Sequence, residues 1–175
     1  MKDFDTLLAR INAGLERGLI DQRTAAHYVG AHLCRRLYCS RVALWTIRDA
    51  PGRAAVTRIG GFDALADRPL AEVVALAIDA PSAWLGELLG SGGFASNDAA
   101  TDRRLLAQRD GYLAPHRIGA LLQSAIGTDA RVCGFVSCEQ VATARAWTAA
   151  DDRLLRRVAD AISKRRARRL QATPG

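Results

Sequence analysis

The sequence predicts an α/β sandwich built around an antiparallel sheet, on three observations. Two pairs of strand-like segments, residues 42–48 with 54–59 and 118–126 with 131–139, are each joined by a short turn, as hairpins are. Apolar residues recur at helical spacing near both ends of the chain and in its middle. The 175 residues, 49% hydrophobic, suffice for one domain with a sizeable core, and no run of eighteen apolar residues offers a membrane span.

Taken in order, Phe4, Leu7, Leu8, Ile11 and Leu15 form a helical stripe behind Asp3 and Asp5, which charge its first turn, and Gly18 ends it. A second helix is expected from Asp21 or Thr24, with Ala26, Val29, Gly30, Leu33, Cys34 and Leu37 on one face. Gly30 on that face permits close approach of a neighbouring element. Residues 42–48 are apolar on both alternating faces, as in a central strand covered on two sides. Pro51 and Gly52 turn the chain, and residues 54–59 return as the partner strand, ending in Gly60 and Gly61.

Pro69 suits the first turn of a helix carrying Leu70, Val73, Val74, Ala77 and Ile78. Ser82 caps another containing Trp84, Leu85, Leu88 and Leu89, broken by Gly90, Gly92 and Gly93. The loop at 91–102, SGGFASNDAATD, is the expected rim of a pocket. In the second hairpin, Leu121, Gln123 and Ala125 face opposite to Ala120, Leu122 and Ser124. After a turn at 127–130, Cys133, Phe135, Ser137 and Glu139 face opposite to Val132, Gly134, Val136 and Cys138. Thr148 and Asp151 make a capping-box variant, and Leu154, Leu155, Val158, Ala161 and Ile162 form the stripe of a closing helix.

Charge and cysteine content narrow the function classes. Between positions 151 and 170 eight basic residues stand against three acidic ones, so most of the net charge of +7 belongs to one helix end, where it suits the negative pole of the dipole. Nucleic acid is therefore not an expected partner. The opening MKDFDTLLAR is acidic where a secretory leader is basic, and the expectation is a cytoplasmic chain with reduced thiols. Cys34 and Cys39, like Cys133 and Cys138, are separated by four residues, wider than a zinc knuckle, and His27 and His32 point apart around a helix. No metal site is expected. The cysteines read first as small core residues and second as redox-sensing thiols. No nucleophile elbow assembles Ser, His and Asp, so no catalytic residue is assigned.

The segments FASNDAATDRR, YLAPHRIGALLQSAI, GFVSCEQ and ARAWTAADDRLLRRVADAIS, in this order and spacing, resemble the GAF domain family over residues 21–169. The likeness is to GAF sensors found beside bacterial histidine kinase and cyclic-dinucleotide output domains. Tyr112 with Leu113, Glu139, and Arg145 with Trp147 match residues recurring there. The resemblance implies a PAS-related α/β fold: a six-stranded antiparallel sheet in the order 2-1-5-4-3-6, terminal helices on one face, and pocket-forming helices and loops on the other. It also implies a homodimer through those terminal helices. Residues 1–20 are expected as an appended amphipathic helix, 21–170 as the GAF unit and 171–175 as a flexible tail.

The expected ligand-binding residues are the polar Asp98, Tyr112, Gln123, Ser137 and Glu139, with Trp45, Phe94 and Phe135 as apolar walls. Strand parity alone leaves open which face Trp45 takes. Arg145 and Trp147 are read as structural, with Glu139 and Arg145 as an ion pair at the hairpin end. The signature of cyclic-nucleotide-binding members is missing, Asn97 and Asp98 being its only trace, and no cysteine precedes a histidine as in bilin-attaching members. Gln123 and Ala125 stand where the subset carries Asp and Pro. The expectation is a sensory module for an unidentified small molecule, its cofactor left open, signalling in trans to a dimer partner or separate effector. The alternatives are a ligand-free GAF dimerisation unit and, third, a small thiol-redox enzyme of the methionine sulfoxide reductase kind.

Overall fold

Local signals place most of the elements. The computed structural model describes residues 2–50, 53–70, 72–79, 82–128 and 131–172. Asp3 and Asp5 occupy the first turn of α1 (Lys2–Glu16). The side chain of Asp21 accepts from Thr24 N at 2.7 Å to cap α2 (Gln22–Leu37), which ends on Tyr38 in the left-handed region at φ 51°. Ser82 caps α3 (Ala83–Ser91), Gly90 is absorbed into that helix, and Gly92 closes it at φ 73°. Thr148 and Asp151 exchange both bonds of the capping box at 2.9 and 3.1 Å ahead of α5 (Ala149–Ala172).

The sheet is antiparallel. It comprises β1 (Arg41–Ala50), β2 (Arg53–Asp63), β3 (Arg68–Pro69), β4 (Ala75–Asp79), β5 (Gly93–Ser96), β6 (Ile118–Thr128) and β7 (Arg131–Val141). Its order is β3-β2-β1-β7-β6-β5, with β4 also on β2. Five strands thus follow the expected 2-1-5-4-3. The edges differ: among the described residues no strand lies beyond β5, and β3 and β4 extend the opposite edge. A short α4 (Leu106–Gln108) and one π-helical turn (Arg109–Leu113) lead into β6.

Strand alternation divides the interior into two cores. On one face Val42, Leu44, Leu122 and Val136 pack against α1, α2 and α5, burying Phe4 and Leu155 among others. On the other, Trp45, Leu121 and Phe135 pack beneath α3 and the π-helical turn with Trp84, Leu105 and Tyr112. Trp45 therefore faces away from the terminal helices.

Several expectations are corrected. The segment after Pro69 is not a helix: Ile78, Ala77 and Leu76 pair with Ala54, Ala55 and Val56, satisfying an edge of β2 that a helix would leave open. The β-branched Val73 and Val74 favour that outcome, and Pro69 is tolerated because β3 is a marginal edge strand. β2 does not end at Gly60 and Gly61 but runs on to Asp63. The loop expected at 91–102 contains β5, paired with β6. A bulge where Ile126 pairs Gly134 and Gly127 pairs Val132 leaves Cys133 over, turning it onto the terminal-helix face, opposite to the face expected. Helix α5 takes in positions 171–172 of the expected tail. The rest of that tail, the turn residues Pro51 and Gly52, and Asp129 and Ala130 lie outside the described residues.

The contact of α2 with the sheet depends on Gly30. A Cβ there would meet the backbone N of Phe62 at 2.9 Å and the Phe62 Cβ at 3.1 Å, so the helix sits closer to β2 than any side chain permits. Replacing Gly30 with valine is expected to lower unfolding stability by about 1–3 kcal/mol through overpacking. Urea titration followed by circular dichroism checks this, and an unchanged midpoint would show that the helix can ride higher at no cost.

Candidate functional site

A thread of polar side chains crosses the apolar face opposite the terminal helices, and strand register builds it. Ser137 and Glu139 project on one face of β7, two residues apart. Gln123 of β6 lies directly opposite Ser137, and its Nε2 donates to Ser137 Oγ at 3.1 Å. Ser137 Oγ donates to Glu139 Oε1 at 3.2 Å. At one end the Trp84 indole, carried in by α3, donates from Nε1 to Gln123 Oε1 at 2.6 Å. At the other the Tyr112 hydroxyl, delivered by the π-helical turn, reaches Glu139 Oε1 and Oε2 at 2.9 and 3.0 Å. Ser137 and Glu139 have 0% exposure, and Gln123 and Tyr112 are buried.

The aromatic surroundings keep water out. Phe135 stacks on its cross-strand partner Trp45 at 5.8 Å, with planes 8° apart, and Trp84 meets Phe135 edge-on. Tyr112 meets Trp45 edge-on at 5.1 Å. Trp45 Nε1 is buried without an acceptor among the described residues. Arg58 stands opposite Trp45 because a bulge between the pairs Leu44–Gly60 and Trp45–Arg58 leaves Ile59 over. Its guanidinium lies 6.0 Å from the Trp45 ring centre, and Nε and the NH2 nitrogen donate to the Glu72 carbonyl at 3.3 and 2.8 Å. Arg58 is buried, yet among the described residues it makes no ion pair.

Beside this thread opens a cavity of about 420 Å³, lined by Arg41, Arg58, Asp63, Arg68, Glu72 and His116 among others. Asp63 is fully engaged: Oδ2 accepts from Arg41 Nε at 2.7 Å, and Oδ1 from the amides of Leu65 and Ala66. His116 tilts against Tyr112 with centroids 4.7 Å apart. Burial, then the charges of Arg58 and Arg41, hold its ring below the ordinary histidine value, so it faces the cavity neutral. Burial pushes the Glu139 carboxyl up to about 7, against the opposing pulls of the Tyr112 hydroxyl, Arg41, Arg58 and Ser137. The Tyr112 hydroxyl lies well above its ordinary value, through burial first and the neighbouring Glu139 second.

Of the eight residues read as ligand-binding, the structure brings Trp45, Tyr112, Gln123, Phe135, Ser137 and Glu139 into one cluster. Phe94 joins the same core from β5, opposite Gln123, with the Arg104 guanidinium 4.6 Å over its ring. Asp98 stands apart: it is exposed and closes its own turn, accepting from Ala100 N and Thr101 Oγ1. The Glu139–Arg145 ion pair does not form. Arg145 instead donates to the carbonyls of Leu37 and Tyr38, lies 3.7 Å from Asp151 and stacks over Trp147 at 4.2 Å, closing α2 against the approach to α5. Arg41, Arg58, Trp84 and His116 were missed. Arg58 alone carried a signal, standing at the inward parity of Ala54 and Val56 in β2. Among the described residues no group of three or more His, Cys, Asp or Glu is placed to hold a metal ion, and no helix is long and apolar enough to cross a membrane.

No family model matches the sequence, and no curated protein matches it. Solved structures do. The phycoerythrobilin-bound GAF domain of a cyanobacterial phytochrome superposes with a TM-score of 0.68 at 15% identity, covering 97% of each chain. The GAF domain of an Acinetobacter phosphoenolpyruvate-protein phosphotransferase gives 0.60 at 8% identity, over 99% of this chain and 97% of that one. Free methionine-R-sulfoxide reductase from Neisseria meningitidis, in complex with its substrate, gives 0.60 at 12% identity, over 87% of this chain and 82% of that one. The fold of this chain is therefore that of a GAF domain.

Glu139 binds its proton more tightly in the folded chain, at about 7, than at the ordinary value of 4.5. Stability from this group is thus complete below the ordinary value and is lost as pH rises through the folded one. Urea titrations from about pH 4 to about pH 8 should show the native chain losing about 3 kcal/mol relative to Glu139→Gln. Parallel pH curves for the two proteins would rule out this titration.

Proposed function

We propose that the chain is a GAF-type sensory module that binds a small anionic molecule in the cavity beside β2 and transmits occupancy through its terminal helices. The observation carrying this reading is Arg58, a buried guanidinium without an ion pair among the described residues, set at the wall of that cavity with Arg41, Arg68 and neutral His116. A carboxylate or phosphate entering there gains a charge-assisted bond to a cation that is already desolvated. Tyr112 and Glu139 stand behind Arg58 and register its change of partner. Trp45, Phe94 and Phe135 pack in the core behind the cavity and do not line it, and Gln123 and Ser137 relay from Glu139 to Trp84. In this reading residues 21–170 are the GAF unit, and α1 is appended to it as the element through which a homodimer forms. The setting is cytoplasmic, and the output passes to a dimer partner or a separate effector.

The ligand chemistries of the structural relatives transfer poorly. All four cysteines belong to the terminal-helix side of the sheet, away from the polar thread, so neither a thiol-attached bilin nor thiol-based sulfoxide reduction is supported at this cavity. A second reading, a ligand-free dimerisation unit, is favoured by the dense packing of Trp45, Trp84, Tyr112 and Phe135 where a larger ligand would sit, and by an apolar groove of about 190 Å³ lined by Leu8, Ile11, Leu15, Val29 and Ile162.

Native mass spectrometry of the full chain as isolated is expected to show added mass on the native protein and its loss in Arg58→Gln. Thermal shift with inorganic phosphate and with short dicarboxylates is expected to raise the melting midpoint of the native chain, and less so that of Arg68→Ala, whose exposed site leaves the fold intact. No added mass and no shift would leave the dimerisation unit. Sedimentation of the full chain checks the oligomer: a dimer is expected, and a monomer at tens of micromolar would remove the proposed route of transmission.

A further inference from the structure

The three terminal helices do not close completely on the sheet. Each turns toward it residues spaced three or four apart, and therefore one side of the helix: Leu8, Ile11 and Leu15 from α1, Ala25 and Val29 from α2, and Ile162, Arg165 and Arg166 from α5. Between them lies the apolar groove of about 190 Å³, whose floor is β1 with the bulge residues Ile59 and Cys133. Small residues keep it open. Ala25 and Ala26 are short, and Gly134 on the floor has to be glycine, since a Cβ there would collide with the Trp45 carbonyl. Leu8, Leu15 and Ile162 are only half-buried, although they pack against this core.

The groove is apolar inside and basic at its mouth. The Arg165 side chain is 18% exposed and donates from its NH2 nitrogen to the Asn12 carbonyl at 3.3 Å and to Glu16 Oε1 at 3.4 Å. Arg166 beside it is exposed. Among the described residues no Asp or Glu lines the groove, and the solvent-exposed Glu16 sets one carboxylate against two guanidinium groups, so the mouth keeps a positive charge. Asn12 Oδ1 is buried on the same lining without a hydrogen-bond partner among the described residues. Turned about its last side-chain bond, that amide presents Nδ2, a donor, in place of the unmatched acceptor.

Size and chemistry select the occupant. The volume of about 190 Å³ lies below the roughly 300–1,000 Å³ of sites for drug-sized molecules, so the ligand is short. An apolar wall gains by burying hydrocarbon, and an arginine mouth gains by pairing with a carboxylate. A second copy of the chain suits the groove less, because a two-fold contact centred on it would set Arg165 and Arg166 against their own counterparts. We propose that the groove is a second ligand site, taking a medium-chain aliphatic carboxylate. The chain lies along Leu8, Ile11, Val29 and Ile162, and the carboxylate meets Arg165, Arg166 and the Asn12 amide. This site is across the sheet from the cavity beside β2 and does not depend on it. Since α1, α2 and α5 all line the groove, its occupant ties α1 to the rest of the fold.

Calorimetric titration of the full chain with sodium decanoate, kept below micelle formation, tests this. One saturable equivalent is expected, with weaker binding of decanol and none of decyltrimethylammonium or acetate. Arg166→Ala, at an exposed position, is expected to weaken decanoate about threefold and to leave decanol unchanged. Ala25→Leu, which fills the groove, is expected to abolish both. Arg68→Ala and excess inorganic phosphate, each directed at the cavity beside β2, are expected to leave decanoate binding as it was, so the two sites succeed or fail separately. A decanoate with a diazirine at its far end maps the site on the native chain, with cross-links expected on α1, α2 or α5. No saturable binding, equal affinity for decanol and decanoate, displacement by phosphate, or cross-links confined to residues 58–72 and His116 would each overturn the proposal. A native dimer that excludes decanoate would overturn it too, and would give the groove to a second copy. Because the cross-linking map needs only the native protein, poor folding of Ala25→Leu does not weaken the test.

Discussion

A carboxyl group with no solvent exposure is the constraint around which the second core is built. Glu139 sits in the middle of an aromatic layer, where an unpartnered carboxylate would cost several kcal/mol. The arrangement meets that demand by supplying donors from three directions: Tyr112 from the π-helical turn, Ser137 from the same strand, and the field of Arg41 and Arg58 from β1 and β2. Each donor needs its own support. Ser137 can give its proton to Glu139 because Gln123 gives one to Ser137, and Gln123 is held by the Trp84 indole. Five residues on four elements are thereby locked to one another, and the helix and turn that carry Trp84 and Tyr112 have a defined seat on the sheet.

How much of this was legible follows from the range over which each signal acts. Caps and stripes are local, so α1, α2, α3 and α5 could be read from Asp21, Ser82, Thr148 and their apolar periods. That Ser137 and Glu139 share one face of a strand followed from alternation, whereas the place of Gln123 opposite Ser137 depends on the register between β6 and β7, which alternation does not give. The resemblance to a GAF domain singled out Tyr112 and Glu139 separately, and their contact, between residues 27 apart, is visible only in the fold. The segment after Pro69 failed because its fate is decided by β2: an open strand edge captures Leu76 and Ile78, overriding a plausible helical spacing. Arg58 and His116 were lost for a related reason. A cavity exists only after folding, and what makes Arg58 informative is that it is buried without an ion pair among the described residues, which no spacing announces.

The sheet also separates two kinds of chemistry by the thickness of one backbone. Acid, hydroxyl, amide and guanidinium groups gather on the face beneath α3, and the thiols gather under the terminal helices. Strand β7 touches both, since Cys138 and Glu139 are consecutive. The fold alone does not choose a chemistry. In this chain the positions of the sulfurs argue against borrowing either the bilin or the sulfoxide chemistry named for the structural relatives.

The two bulges deserve a practical reading. At Ile59 and at Cys133 one residue is left over, and beyond each the side chains of that strand exchange faces relative to a regular ladder. Transferring pocket residues onto this chain without gaps therefore inverts a face whenever a strand is indexed across its bulge: counted back from Gly60 and Phe62, Arg58 falls on the terminal-helix side, and counted back from Phe135 and Ser137, Cys133 falls among the acids. At identities of 8 to 15% no sequence score would flag the mistake. Homology-guided mutagenesis of this sheet has to be indexed by hydrogen-bonded partner, Trp45 for Arg58 and Ser137 for Gln123, and not by position along the strand.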